Sequence, residues 1–196
     1  MSQGIKATGA LSLFALAVFL SAADPPDVLA VAKQVAAEKF NGFSYGDSIC
    51  EKQVNCVQFS AAVVERLMGR PLTGAECDAI LIRYDFEDLN KAIQDRDAKT
   101  RGVQYALCAI LKRGIEAPPM DVQPGDFIQY WIRKSDGSWT GHSAIVAKVI
   151  NRGQADVRVA LYGSHKSTNG IATTDFGGDG LSLVGDDRRV YIARYK

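Results

Sequence analysis

The sequence predicts an α+β fold, and three observations carry that prediction. Apolar residues recur at helical spacing in the first half, over residues 27–39 and 55–68. A Pro118-Pro119 pair then breaks the pattern. Beyond it, short alternating stretches are separated by turn-forming pairs such as Asp136-Gly137. Helices first and antiparallel strands after them make an α+β domain, and 196 residues suit one core rather than two.

Residues 1–23 read as a separate object. Lys6 is the only charge before Asp24, residues 11–20 read LSLFALAVFL, and Ser21, Ala22 and Ala23 are small. That pattern predicts a secretory signal peptide cleaved near Ala23, and a secreted or periplasmic protein. A ten-residue apolar run falls short of the roughly 20 residues a membrane span needs, so no stable span is expected after its removal. Residues 27–39 follow as an amphipathic helix, with Val28, Leu29, Val31, Ala32, Val35 and Ala36 on its apolar side. Residues 41–53 form a loop.

The next helix, 55–68, has Asn55 as its N-cap and Val57, Phe59, Val63, Val64 and Leu67 as apolar surface. Gly69 is suited to a left-handed C-terminal cap, and Pro71 prevents continuation. Residues 73–114 are expected to be mostly helical, over 77–82, 86–93 and 103–111, with Gly114 ending the last helix. Gln123-Pro124-Gly125-Asp126 is a turn. Strands are expected over 127–132, 142–150, 157–165 and 189–195, as an antiparallel meander.

Composition excludes several classes of function. With a net charge of +1, 47% hydrophobic and 23% charged residues, nothing draws the chain to nucleic acid or an acidic membrane. A zinc site needs three or four ligands at short spacing, and two histidines with scattered cysteines do not supply them. Gly177, Gly178 and Gly180 do not link a strand to a helix, so they form no phosphate cradle. No cofactor or metal is expected. Trp131 and Trp139 read as strand packing rather than as sugar-stacking platforms. The four cysteines, in an oxidising compartment, suggest one disulfide drawn from Cys50, Cys77 and Cys108, with Cys56 left free. A monomer is the expectation, although no residue fixes the oligomeric state.

Cys56 and the two histidines carry the chemistry. Cys56 falls in the first turn of its helix, where unpaired N–H groups favour a thiolate. His142 and His165 are the only histidines in the chain, and imidazole is the side chain best tuned to act as a base near neutral pH. On the third strand Val157, Val159, Leu161, Gly163 and His165 share one face, which is expected to look toward the helices. An antiparallel hairpin sets His165, near the end of that strand, beside His142 near the start of the second. His165 is therefore the expected orienting residue, with Ser164 and Asn169 as alternatives.

Taken in order, these features resemble the NlpC-type cell-wall peptidases, which are papain-like in fold and circularly rearranged. The residues are Tyr45-Gly46 in a loop, Asn55-Cys56 opening a helix, Pro124-Gly125-Asp126 before a strand, Gly141-His142 opening the next, and a polar residue on the third. The likeness runs from about residue 40 to the C-terminus, outside the helical stretch near 73–114, and the related CHAP amidases share it. It implies a Cys56–His142 pair with His165 as third member, and Tyr45 lining the site and assisting the oxyanion. It also implies an amide or peptide bond of peptidoglycan as substrate. The family's usual Asp-Cys-Ser-Gly is replaced here by Asn55-Cys56-Val57-Gln58, which removes the residues that recognise a stem's amino end. The long interval from Cys56 to His142 falls in the helical stretch, a candidate wall or lid. A papain-like acyltransferase or lipid amidase would use the same residues. An exported binding or inhibitor domain would instead hold Cys56 in a disulfide.

Overall fold

A computed structural model describes residues 25–152 and 156–196; the expected signal peptide and its cleavage point lie outside the described residues. The first helix, α1 (Val28–Lys39), starts where the Asp27 carboxylate accepts from Ala30 N at 3.0 Å. Two short strands, β1 (Ser44–Tyr45) and β2 (Gln53–Val54), then pair in parallel across a tight loop. The second helix, α2 (Cys56–Met68), follows at once.

Its start and end are as the residue types dictate. Asn55 Oδ1 accepts from Gln58 N at 2.8 Å, and Gln58 Oε1 accepts from Asn55 N at 2.9 Å, a reciprocal capping box. Gly69 closes the helix in the left-handed region at φ +66. Gln58 thus completes the cap that holds Cys56 in the first turn.

Residues 73–114 hold short helices, as expected, although with different bounds. They are α3 (Gly74–Ile80), α4 (Leu89–Gln94) and α5 (Gly102–Tyr105), the last running on as a π-helical turn over Ala106–Ile110. The strand half contains β3 (Gly114–Glu116), β4 (Phe127–Arg133), β5 (Trp139–Asn151), β6 (Arg158–His165), β7 (Gly170–Thr174), β8 (Leu181–Ser182) and β9 (Arg188–Tyr195). These form one seven-stranded antiparallel sheet in the order β3-β9-β4-β5-β6-β7, with β8 also on β6. The simple meander is corrected: the last strand inserts between β3 and β4. β3, β7 and β8 are too short to announce themselves by alternation.

Both faces of the sheet are buried. Phe127, Ile145, Ala193 and Tyr195 face α1, α2 and α5 in one core, where Phe59 sits between Phe40 (ring centroids 6.2 Å) and Tyr162 (5.9 Å). On the other face Ile128, Tyr130, Ala144, Val146, Val159, Leu161 and Ile192 form a second core. Arg188 of β9 donates to Ser182 O of β8 at 3.0 Å, so strands far apart in the sheet order meet as the sheet curls around this core. The expectation for β6 is therefore reversed. Val157, Val159 and Leu161, the face that ends in His165, look into the curled sheet, and Tyr162 and Ser164 look toward the helices. A strand's alternation defines which residues share a face, and two apolar faces leave open which one meets the helices.

The Pro124-Gly125-Asp126 turn is a docking element. Gly125, at φ +89, lets the turn fold back so that its N–H donates to Val146 O at 2.8 Å. Asp126, 1% exposed, accepts from Arg194 Nε and Nη2, each at 2.9 Å, and from Gln123 N at 2.8 Å. It ties the turn to β9.

Candidate active site

The site is assembled where α2 begins against β5 and β6. Cys56 is the first residue of α2 and is buried. The ladder between β5 and β6 has its outermost pair at Ile145↔Tyr162, and beyond that pair the two strands carry His142 and His165. His142 Nε2 and His165 Nδ1 lie 2.8 Å apart, with the rings stacked at 4.8 Å between centroids. The structure thus brings together the two histidines that the antiparallel register predicted.

One histidine donates and the other accepts in this contact. His165 Nε2 is buried and has no hydrogen-bond partner among the described residues. In the tautomer with the His165 proton on Nε2, His165 Nδ1 accepts from His142 Nε2–H. His142 Nδ1 is then the nitrogen with a free lone pair.

Burial sets the charge states. It lowers the His142 pKa to about 3, helped by the neighbouring His165, and lowers that of His165 to about 4. It also pushes the Cys56 thiol up, against backbone hydrogen bonding from Ser143, Val57 and Cys56 itself that favours the thiolate, and Asp47 adds to the upward shift. The helix-start argument for a resting thiolate is therefore corrected: desolvation outweighs the favourable N–H groups, and the ground state is a thiol beside neutral imidazoles.

Ser143 immediately follows His142 on β5, and its backbone is among the groups that favour the Cys56 thiolate. Among the described residues no hydrogen bond joins Cys56 Sγ to His142. Tyr130 lies opposite His142 in the β4–β5 register, with ring centroids 5.5 Å apart. Its phenol is raised by burial first, then by the charges of Cys56 and Tyr45. Tyr45 is raised by burial, then by Cys56, Asp47 and Tyr84. Cys56 thus acts electrostatically on Tyr45, the expected site-lining residue, and on Tyr130, which sequence reasoning did not name. Alternation on β4 could have pointed to Tyr130, since it shares His142's face.

The alternative third members lie elsewhere. Ser164 is fully buried on the helix-facing side, donating to Val54 O at 2.6 Å. Asn169 sits exposed at φ +49 in the turn between β6 and β7. All four cysteines are free, which corrects the expected disulfide: Cys50 lies in the loop before β2, Cys77 on α3, and Cys108 in the π-helical turn. Both tryptophans pack as expected. Trp131 Nε1 donates to Thr100 O at 2.7 Å and Trp139 Nε1 to Asn90 Oδ1 at 3.1 Å, each beneath the helical stretch.

That stretch also reaches the site. Tyr84, between α3 and α4, accepts from Gly141 N at 2.9 Å, and its ring meets Trp131 edge-on at 5.3 Å. A Cβ on Gly141 would lie 2.7 Å from Ile82 Cγ2, so only glycine lets this segment rest on the strand immediately before His142. Among the described residues, no group of three or more His, Cys, Asp or Glu is arranged to hold a metal, and no helix is long and apolar enough to cross a membrane. No family model and no curated protein matches the chain.

Proposed function

We propose that the chain is a papain-like thiol hydrolase with Cys56 as nucleophile, His142 as base and His165 as the residue that orients it. The observation that carries this reading is the 2.8 Å Nε2–Nδ1 contact between the only two histidines in the chain. It leaves His142 Nδ1 as the basic nitrogen, next in sequence to Ser143, whose backbone favours the Cys56 thiolate.

The chemistry follows from the neutral ground state. As Cys56 Sγ forms a bond to the substrate carbonyl carbon, its proton passes to His142 Nδ1. The carbonyl π pair moves to oxygen, where the Cys56 N–H at the start of α2 and the Tyr45 hydroxyl are the candidate donors. Collapse breaks the C–N bond, and His142 returns the proton to the departing amine. Water then attacks the thioester carbon, giving a proton to His142, and the second collapse releases the carboxylic acid and restores Cys56–H. His165 holds the imidazole orientation and accepts from Nε2–H throughout.

For the substrate we propose an amide of a peptidoglycan peptide stem, in a secreted or periplasmic setting. This rests on the family resemblance and the exported character of residues 1–23. The test is digestion of purified cell walls followed by mass spectrometry of the soluble fragments, with lipid amides assayed in parallel. The native chain should release fragments with new carboxyl and amino ends. Cys56→Ala should release none while keeping its circular dichroism spectrum. Equal release by Cys56→Ala would overturn the mechanism.

A further inference from the structure

On each histidine strand the neighbouring residue is a buried serine. Side chains alternate along a strand, so Ser143 and Ser164 face the helices while His142 and His165 face the curled core. Both serines are 0% exposed, as is Ser60. Ser143 Oγ bonds Ser60 Oγ at 2.8 Å, and Ser60 lies on α2 one turn beyond Cys56. Ser164 Oγ donates to Val54 O at 2.6 Å, two residues before Cys56. The chain on either side of the sulfur is thus fastened to the two strands that carry the histidines.

We infer that Ser60, Ser143 and Ser164 are positioning residues, forming a clamp that holds the start of α2, and with it Cys56, between the two histidine strands. Its catalytic meaning rests on the thiol-hydrolase reading; the clamp itself is a matter of geometry. Ser143 serves twice: its hydroxyl grips α2, and its backbone favours the Cys56 thiolate. Loosening the hydroxyl bond lets the helix start drift from the strand, and the backbone then stabilises a thiolate less well. Small displacements of a reacting atom have large consequences for rate. The other titratable groups that interact electrostatically with the thiol are Tyr45 from β1, Asp47 from the β1–β2 loop and Tyr130 from β4. None of these is altered in the variants below.

The experiment is iodoacetamide alkylation of the full native chain from about pH 6 to about pH 11, with Cys56 read peptide by peptide by mass spectrometry. Ser60→Ala and Ser143→Ala should each slow Cys56 alkylation at neutral pH by about five-fold and move its midpoint upward by less than about one pH unit, the scale of one modest hydrogen bond. The double variant should match either single variant, since the first substitution already breaks the bond. It also leaves no hydroxyl unpaired, so it tests the clamp even where a single variant folds poorly. Ser164→Ala should slow alkylation independently. Thr100→Ala removes another buried hydroxyl, one bonded to Tyr191 Oη, and should leave the Cys56 profile unchanged. A double variant with the native Cys56 profile would overturn the inference. A shifted profile in a chain that hydrolyses no amide would sink the hydrolase reading and leave the clamp standing.

Discussion

Acidification should destabilise this protein through its two histidines, by an amount the structure lets one work out. In the unfolded chain both imidazoles titrate near 6.5; in the folded chain burial lowers them to about 3 for His142 and about 4 for His165. Between those values the unfolded chain binds protons that the folded chain does not. Stability is therefore fully present above about 6.5 and falls as the pH drops toward the folded values. From about pH 7.5 to about pH 5, each histidine contributes a loss of about 2 kcal/mol, or about 4 kcal/mol together. That is a large share of the 5–15 kcal/mol typical of a domain. Urea unfolding at the two pH values, followed by the fluorescence of buried Trp131 and Trp139, measures it directly. His165→Asn keeps an acceptor for His142 and removes one titration, so its loss over the same interval should be about 2 kcal/mol. Equal losses in the native chain and the variant, or a native loss below about 1 kcal/mol, would refute the reasoning, since burial of neutral imidazoles requires the difference.

Two further perturbations probe the frame that holds the site. Asp126→Ala removes the carboxylate partner of Arg194, whose side chain is 31% exposed and keeps its bond to Asp121 O, so the cost should lie near the low end of the range for a broken buried pair, about 3 kcal/mol. Urea midpoints measure this, and a change under about 0.5 kcal/mol would show that the pair does not anchor the turn. Gly141→Ala drives a methyl against Ile82 Cγ2 at 2.7 Å and the Trp131 ring at 3.0 Å, costing about 1–3 kcal/mol. It should also speed amide hydrogen exchange in residues 81–88. Unchanged exchange there would mean the segment does not depend on close approach to the strand.

Local chemistry was readable where it is set within a few residues. Asn55 caps the helix that Cys56 opens, and Gly69 ends it, because capping needs only a side chain and the nearest free N–H or C=O groups. The meeting of His142 and His165 was readable too, because antiparallel pairing makes the end of one strand adjoin the start of its neighbour. Sequence alone thus determined which residue types could do thiol chemistry and that the two imidazoles would be neighbours. Tertiary structure decided which face of β6 meets the helices, that the last strand slips between β3 and β4, that the cysteines stay apart, and that burial keeps the thiol protonated. It also turned Ser143, Ser164 and Asp126 into fastenings. These depend on contacts between residues distant in the chain and on how much water the assembled fold excludes. Neither quantity is contained in the spacing of residues along a strand or a helix.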